Sequence, residues 1–493
     1  MKKLITSKKQ AEHQNLPDRK AGLLLIALMI ICVFLSLTLI LRAYHGKPIF
    51  PTGESYYNMR MANSLVYNGV TTQDPLQETY YAPSPYHFFL SFFLFVFNSY
   101  SVLWFIPIFL GLASALLFFR LLTIMGAHKE QAFYALLILA VTPVFIVVFT
   151  GLYLLGWLIF LSLLSFALLT SKRKMPRMVG MLCFIILALS SLVGFIIASM
   201  VFLMMLILMK RKLNALIAPA IASLAAVIIM RLLLRQLPML EGFGAFDFKE
   251  TLSLLGANIG FDLFLLLIFF IGFVVLWSRS KSTRLIHLST LLLVMLSFFN
   301  SIARAFASFI IAYYCVVTLT YLYNRKWSLD IIKTGTMLLV LCSLVFSLVN
   351  QVNLIVTAQP DALFVKSLMF LDTLEPGRVL TDESYGLLVE FYSDNNVLLD
   401  GNSIQFTKDY ARRKDDSQTL FNSARLIEAQ PLLEEYEIRY VLITPGMKEQ
   451  LWDNNERGLW FLVKNSESFE KRYLEEGIEI REYKPATPVM PAG

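Results

Sequence analysis

The feature that most constrains this 493-residue chain is a series of apolar runs, many of them near 20 residues long, that fills most of its first 350 residues. A run of that length crosses the hydrocarbon core of a bilayer, about 30 Å thick, as a single helix. Charged residues form only 16% of the chain, against about 25% in soluble globular proteins. The pattern therefore excludes an ordinary cytosolic enzyme and a disordered or fibrous chain, and it predicts a polytopic α-helical membrane protein.

We predict eleven spans, the first of them a retained helix rather than a cleaved signal peptide. The eleven are expected at about 22–41, 101–122, 130–149, 151–170, 178–192, 193–209, 213–234, 258–278, 285–301, 305–323 and 329–349. The apolar run Tyr86–Phe97 is too short to cross a bilayer. Its aromatic residues suit the membrane–water boundary, so we expect a non-spanning helix there.

The distribution of basic residues predicts the orientation, because short cytoplasmic loops are enriched in Lys and Arg. When the Tyr86–Phe97 helix is counted as non-spanning, every basic cluster in the loops falls on one side of the membrane. The clusters are Lys2, Lys3, Lys8, Lys9, Arg19 and Lys20; Lys129; Lys172, Arg173 and Lys174; Lys210, Arg211 and Lys212; Arg279, Lys281 and Arg284; and Arg325 and Lys326. We therefore expect a multi-pass protein of the cell membrane with a cytoplasmic N-terminus and an extracytoplasmic C-terminal domain.

The last part of the chain has a different composition. Residues 350–493 hold 24 Asp and Glu against 15 Lys and Arg, whereas residues 1–349 hold 11 against 28. Short strand-like runs alternate with helical ones, which is typical of a layered α/β domain. The strands are expected at Arg378–Thr381, Val397–Asp400, Tyr440–Thr444 and Ile478–Glu482, and one helix at Ala424–Tyr436. The predicted domains are thus a cytoplasmic N-terminus (1–21), a transmembrane domain (22–349) that includes the first external loop (42–100), and a soluble extracytoplasmic α/β domain (350–493).

The first external loop contains the residues best suited to chemistry. It reads G-E-S-Y-Y-N-M-R from Gly53 to Arg60, and Asp74 and the aromatic stretch Tyr80–His87 follow it. Glu54 and Arg60, an acidic and a basic residue six positions apart with aromatic residues around them, form a polar, titratable patch at the lipid–water boundary. Such a patch can meet a lipid headgroup and an external acceptor together.

This loop resembles the first external loop of the GT-C glycosyltransferases, which take a sugar from a polyprenyl-phosphate donor. Glu54, Tyr57, Met59 and Arg60 match the loop of the oligosaccharyltransferase catalytic subunit, and Asn58 stands where that family usually has His. The segment Pro83–Leu90 is similar to the start of the second interfacial helix in protein mannosyltransferases and aminoarabinose transferases. The run Ile438–Leu442 also resembles the C-terminal domains of the family.

The resemblance implies a GT-C-like fold with about eleven spans and an inverting transfer of a sugar to an external protein, glycan or lipid. It implies that Glu54 is the catalytic base and that Asp74 supports it as a second acid. The substrate-binding candidates are Tyr57, Arg60, Tyr81, His87 and Arg304, the last at the outer start of the tenth span. Arg60 and Arg304 are expected to hold the donor phosphate, since guanidinium groups match phosphate geometry. Structural interpretations stand beside these roles. Glu54 also complements a helix dipole, the arginines also attract headgroups, Asp74 before a proline also forms a common turn, and His87 also suits an interface as a polar tip on an apolar body.

Besides Asn58, the chain departs from the family pattern in three places. The family acid is usually Asp, and here it is Glu54. The outer link after the third span, Phe149–Leu152, has no second carboxylate, and the C-terminal domain has no Trp-Trp-Asp signature. Oligosaccharide transfer to Asn is therefore disfavoured relative to transfer of a single sugar. A divalent cation, Mg²⁺ or Mn²⁺, is left open with Glu54 as its candidate ligand, although such ions need several oxygen ligands.

Other functions are ranked below this one. No Walker loop or dinucleotide fingerprint is present and the predicted cytoplasmic loops are short, so we expect neither a nucleotide cofactor nor a nucleic-acid partner. The expected partners are a polyprenyl-phosphate-linked sugar, an external acceptor and membrane lipids. Two alternatives stay open: a catalytically inactive GT-C-fold protein that binds glycolipid or acts as an envelope scaffold, and a transporter of lipid-linked sugars, which would require ionisable residues at mid-membrane.

Overall fold

The computed structural model describes residues 16–71, 73, 74, 76, 83–209, 214–234, 261, 263–279, 283–403, 407 and 409–484. These residues form two compact units. The first unit consists of the chain up to Leu41, Ser84–Tyr86 and Ser99–Thr357. The second consists of Arg42–Pro83, His87–Asn98 and the chain from Ala358 onwards. The first external loop is thus grouped with the C-terminal part of the chain.

The first unit is built of helices that follow the apolar runs. They are α1 (Leu16–Tyr44, which continues into the second unit), α4 (Phe105–Ile124), α5 (Lys129–Ala140), α6 (Pro143–Val148), α7 (Leu154–Leu169), α8 (Lys174–Ser190), α9 (Leu192–Leu208), α10 (Asn214–Leu234), α11 (Leu263–Arg279), α12 (Arg284–Leu296), α13 (Ser301–Asn324) and α14 (Asp330–Thr357). Side-chain caps define several starts: Ser191 Oγ accepts from Gly194 N at 3.0 Å, and Asn300 Oδ1 accepts from Ala303 N at 3.0 Å. Such caps satisfy amides that the first helical turn leaves unpaired.

Each predicted span coincides with helical structure over most of its described residues, but the region predicted as one span at 130–149 is two helices. Residues 213, 258–260 and 262 of the predicted spans lie outside the described residues. Helix α5 ends at Ala140 and α6 begins at Pro143, because proline cannot donate the amide hydrogen bond that would continue α5. Among the described residues, four helical stretches are long and apolar enough to cross a membrane: Gly22–Tyr44, Tyr100–Ile124, Ser301–Asn324 and Asp330–Asp372. Several others are shorter apolar helices. The protein is a polytopic helical membrane protein, and the count of eleven spans and their orientation stay predictions.

The second unit combines helices with a small sheet. Its elements are α2 (Gly53–Asn68), most of α3 (Pro85–Phe97), α15 (Ala362–Asp372), β1 (Arg378–Leu380), α16 (Glu383–Ser393), α17 (Tyr410–Asn422), α18 (Leu426–Glu435), β2 (Ile438–Ile443), α19 (Pro445–Trp452), α20 (Gly458–Asn465), β3 (Phe469–Glu475) and β4 (Ile478–Tyr483). The strand order is β1-β2-β4-β3. Strands β1 and β2 are parallel, whereas β2–β4 and β4–β3 are antiparallel. The apolar core of the sheet includes Leu380, Val441, Ile443 and Trp452, all at most 2% exposed.

The sequence located three of the four strands and missed one. The prediction of a strand at Val397–Asp400 is wrong, since Val397 makes only an isolated bridge to Val379. The chain turns at Asp400, whose carboxylate accepts from Asn402 N at 2.9 Å and from Ser403 Oγ at 2.7 Å. An Asp that bonds to the backbone two residues on favours a turn over a strand. Strand β3 was missed because it lies at the sheet edge, where most of its side chains are not fully buried and an apolar alternation is weak.

Candidate functional site

The site begins at the first turn of α2. Thr52 precedes it in an extended conformation, and Glu54 is the acid of the first turn. Gly53 is held close to α16, since a Cβ there would lie 3.1 Å from the Leu387 Cβ. Glu54 is exposed. A negative charge at this position complements the helix dipole, and the exposed side chain is accessible from outside the protein.

An ion triad holds the middle of α2. Arg60 Nη1 and Nη2 donate to the two carboxylate oxygens of Asp74, each at 2.8 Å, and Nη2 also donates to Glu390 Oε2 at 2.8 Å. The Asp74 and Glu390 side chains are 6% and 0% exposed, and that of Arg60 is 14% exposed. The two-pronged contact with Asp74 fixes the plane of the guanidinium group, a geometry that arginine makes and lysine does not.

The triad has an acidic balance, because two carboxylates face one guanidinium group. Burial alone would lower the pKa of Arg60, but the charges of Glu390 and Asp74 outweigh it and raise that pKa, so the arginine stays protonated. Asp400 lies within electrostatic reach of both Arg60 and Asp74. Burial raises the pKa of Asp400 above its ordinary value, and hydrogen bonds from Ser403 and Asn402 oppose that effect.

A second contact joins α2 to α3. His87 Nε2 lies 2.9 Å from Asn58 Oδ1, and the ring of Tyr57 meets the His87 ring edge-on at 5.9 Å. The amide oxygen of Asn58 can only accept, so His87 Nε2 carries the proton in this arrangement. Burial lowers the pKa of His87 to about 3. The imidazole is therefore neutral at physiological pH and acts as a hydrogen-bond donor between the two helices.

Aromatic and apolar contacts place α2 against α16. Tyr57, Met61 and Leu387 form one buried cluster. The Tyr56 ring lies 5.0 Å from that of Phe391 and 5.3 Å from that of Tyr392. The segment before α2 is fixed separately by Arg42, a fully buried side chain. Its guanidinium group donates to the carbonyl oxygens of Pro48, Phe50, Ala358 and Pro360 at 2.8, 3.3, 2.9 and 3.1 Å.

The site residues predicted from sequence do not all lie in one unit. The structure brings Arg60 and Asp74 into direct contact, and the Arg60 Cζ lies 5.8 Å from the centre of the Tyr57 ring. Tyr81 lies outside the described residues. Arg304 belongs to the first unit, where it is half-buried at the start of α13 and its Nε donates to the Ser297 carbonyl oxygen at 3.2 Å.

Sequence reasoning missed the two acids from the C-terminal part, Glu390 and Asp400. A signal for Glu390 is present, since it is a lone carboxylate in the apolar helical run Leu387–Tyr392. A buried acid in such a run needs a cationic partner. For Asp400 the signal is weaker, because Asp-Gly-Asn is an ordinary turn sequence.

The described residues do not fit a metal ion. Among them, no set of three or more His, Cys, Asp or Glu side chains is arranged to bind a cation. Asp74 and Glu390 are both paired with the guanidinium group of Arg60. Divalent ions of the Mg²⁺ and Ca²⁺ kind need several oxygen ligands, and the described part of the chain gathers no such set.

Comparison with known proteins identifies the fold. No protein family model matches this chain, and no curated protein sequence matches it. The apo oligosaccharyltransferase of Archaeoglobus fulgidus superposes with a TM-score of 0.62 at 13% identity, over 92% of this chain and 73% of that one. The same archaeal enzyme, AglB, in complex with an inhibitory peptide and a dolichol-phosphate gives 0.60 at 13% identity, over 95% and 75%. Its complex with Zn and sulfate gives 0.61 at 14% identity, over 93% and 72%.

A second solved protein shares the fold over nearly its whole length. ArnT from Cupriavidus metallidurans, bound to undecaprenyl phosphate, superposes with a TM-score of 0.57 at 11% identity, over 94% of this chain and 98% of that chain. Both relatives are GT-C membrane proteins. The chain described here therefore has the GT-C fold, with a small C-terminal sheet, as the resemblance of its first external loop predicted.

Proposed function

We propose that this protein transfers a sugar from a polyprenyl-phosphate-linked donor to an acceptor on the outer face of the membrane. The observation that carries the proposal is the GT-C fold, shared over more than nine-tenths of the chain with two proteins solved with dolichol-phosphate and undecaprenyl phosphate. The proposal includes the predicted orientation, in which residues 42–100 and 350–493 are extracytoplasmic and 22–349 hold the membrane spans.

In the proposed reaction, Glu54 is the general base. Its carboxylate takes the proton of an acceptor hydroxyl as that oxygen attacks the anomeric carbon of the sugar. The bond from this carbon to the phosphate oxygen breaks, and the polyprenyl phosphate leaves with the electron pair. A correctly placed base contributes about 10²- to 10⁴-fold to such a step, and the exposed first turn of α2 gives an acceptor access to Glu54.

We assign the ion triad a positioning role. Arg60 already donates to two buried carboxylates, so its charge is balanced within the protein and it holds α2 in register with α16. Asp74 is its partner rather than a second base. Arg304 remains the candidate for the donor phosphate, Tyr57 and His87 shape the loop, and Tyr81 is a further substrate-binding candidate.

A divalent cation is not given a step in this reaction. One solved relative is described with Zn and sulfate, and Glu54 would be the ligand offered by this chain. The described residues do not complete a coordination sphere around it. The proposed base step needs Glu54 alone as the proton acceptor and includes no metal ion.

The test uses the full chain in nanodiscs with radiolabelled polyprenyl-phosphate sugars and a panel of hydroxyl acceptors. Glu54→Gln removes the charge and keeps the size, and it should reduce transfer about 10²-fold or more, whereas Glu54→Asp should retain part of the rate. Glu130→Gln is the matched control, since Glu130 is also an exposed acid in a first helical turn. Transfer by Glu54→Gln at the wild-type rate would exclude Glu54 as the base.

A second candidate function is binding without catalysis. It is favoured by one observation, that Asp74 is committed to Arg60 and so does not serve as a second acid. The same assay separates the two functions. A wild-type protein that retains the donor lipid on gel filtration but transfers no sugar to any acceptor supports the binding function, and movement of the donor between leaflets of proteoliposomes supports a transporter.

A further inference from the structure

We propose that the first unit contains a second amphiphile site, at the end of the helical bundle predicted to face the cytoplasm, that accepts a lipid with a phosphate head. The site consists of two adjoining cavities that share Met125, Ala127, Leu276, Arg279 and Tyr313 on their walls. It involves none of the side chains assigned to sugar transfer.

The inner cavity is an apolar chamber of about 380 Å³, within the range of about 300–1,000 Å³ usual for ligand pockets. Its walls come from α7, the ends of α4, α9 and α11, the start of α12 and the first half of α13. Phe166, Met205 and Phe309 are typical of its lining. A chamber of this composition suits a hydrocarbon chain.

The outer cavity, of about 470 Å³, is polar and cationic. Arg279, His128 and Arg325 line it, together with Gln131, Thr320 and Asn324. Among the described residues, no carboxylate lines either cavity. The head that fits this chamber is therefore anionic, and a guanidinium group such as that of Arg279 matches a phosphate in geometry as well as charge.

A hydrogen-bonded group of side chains lies in the wall of the apolar chamber. Thr283 Oγ1 is 3.1 Å from His287 Nε2, and His287 Nδ1 is 2.7 Å from the Tyr314 hydroxyl. Thr283, His287 and Tyr314 line the apolar chamber, as does Arg279, which also lines the outer cavity. Polar residues in an otherwise apolar bundle are costly, and such residues mark ligand paths. The gradient from cationic to polar to apolar matches the head, linker and tail of a lipid phosphate.

The loops beside the cavities add to the attraction. Lys129, Arg284 and Lys326 lie in or next to the same helix connections. Basic residues concentrated at one membrane surface attract anionic lipids by about 1 kcal/mol each. The occupant would thus enter from the leaflet on this side, which is separate from the leaflet face assigned to the external loop.

The test is photolabelling of the full chain in nanodiscs with a diazirine derivative of farnesyl phosphate, followed by peptide mapping. We expect adducts on peptides of α9 that include Met205 and Leu208, and competition by unlabelled farnesyl phosphate. Arg279→Gln should weaken this competition about tenfold or more, since hydrogen bonds to a charged group are strong. Ala127→Phe, which adds bulk where the chambers meet, should abolish the labelling.

Two controls distinguish this site from others. Arg284→Gln removes the same charge in the same connection, but Arg284 stacks on Trp277 at 5.6 Å and lines neither cavity, so labelling should persist. Arg304→Gln should also leave this labelling intact while weakening any binding at the proposed donor site. Equal competition by farnesol would show that the head is not recognised, and competition by inorganic phosphate alone would show an ion site. Either result, or adducts confined to other helices, would overturn the proposal.

Discussion

The two units differ in the partners of some of their buried polar groups. In the first unit, hydroxyl groups bond to the carbonyls of their own helices, as in Ser162 Oγ to Leu158 O and Ser165 Oγ to Leu161 O, both at 2.7 Å. In the second unit, buried polar groups include ionic ones, as in the triad of Arg60, Asp74 and Glu390. A lipid-facing helix must satisfy its groups internally, whereas a domain in water can gather charges from distant parts of its chain. The hydroxyl groups of Ser162 and Ser165 therefore support a single helix, whereas the ion triad joins segments that are remote along the chain.

The largest expected loss of stability follows from removing the arginine of the ion triad. Arg60→Met leaves the buried carboxylates of Asp74 and Glu390 without their cation, which typically costs about 3–5 kcal/mol of unfolding free energy. Arg412→Met is the matched control, because Arg412 pairs with Glu435 at the surface with a 64% exposed side chain and such pairs contribute about 0–1 kcal/mol. Hydrogen exchange of α2 and α16 in the full chain measures both. Equal protection in the two variants would show that the triad does not hold these helices.

The sequence predicted the helices of the first unit better than the ionic contacts of the second. Apolar length and basic loops are local signals, so they located helices such as α4 and α13 within a few residues. The triad depends on Glu390, which lies 330 residues from Arg60 along the chain, and no local pattern specifies which remote acid an arginine will meet. The loop motif identified Arg60 and Asp74 as candidates but not their pairing. Strand β3 was missed for a related reason, since an edge strand is defined by its neighbour β4 more than by its own pattern.

A medium effect is expected where helices of the first unit approach closely. At Gly272 in α11, a Cβ would lie 2.3 Å from the Tyr314 carbonyl oxygen and 2.7 Å from Thr318 Oγ1. Small residues permit such approaches between membrane helices. Gly272→Ala forces α11 away from α13 and should cost about 1–3 kcal/mol, as overpacking does.

Gly335 in α14 provides the control, because nothing lies within 4 Å of its Cβ position. Gly335→Ala should stabilise the helix by about 0.5–1 kcal/mol through helix propensity. Thermal unfolding in one detergent, with both variants measured beside the wild type, gives the comparison. Shifts of the same sign would show that the contact at Gly272 relaxes without cost.

The smallest effects are expected in the pH dependence of the second unit, where two buried acids should respond with opposite signs. Burial raises the pKa of Asp400 above its ordinary 3.8. Burial acts in the same direction on Glu479, but hydrogen bonds and charges from Lys448 and Arg481 outweigh it and lower that pKa below 4.5. An acid whose pKa is higher in the folded state than in the unfolded state binds more protons when folded. Its contribution to stability is therefore lost as the pH rises through the folded pKa. An acid whose pKa is lower in the folded state binds fewer protons when folded. Its contribution to stability is therefore lost as the pH falls below about 4.5 towards the folded pKa.

Asp400→Asn should therefore increase the folding stability at pH values above the ordinary pKa of Asp. It should also remove part of the decrease in stability that the wild type shows between acid and neutral pH. The amide oxygen of the new side chain can still accept the hydrogen bond from Ser403 Oγ. Glu479→Gln should decrease stability at neutral pH and flatten the acid limb, because Lys448 and Arg481 lose their anion. Chemical unfolding of the full chain between pH 3 and 8, followed by hydrogen exchange in β2 and α16, measures both slopes. If both variants changed the slope in the same direction, the ion pairs of the sheet and the acidic surroundings of Arg60 would have to be reassigned. Opposite slopes would show that burial raises the pKa of Asp400, within electrostatic reach of Arg60, while Lys448 and Arg481 lower the pKa of Glu479 in the sheet.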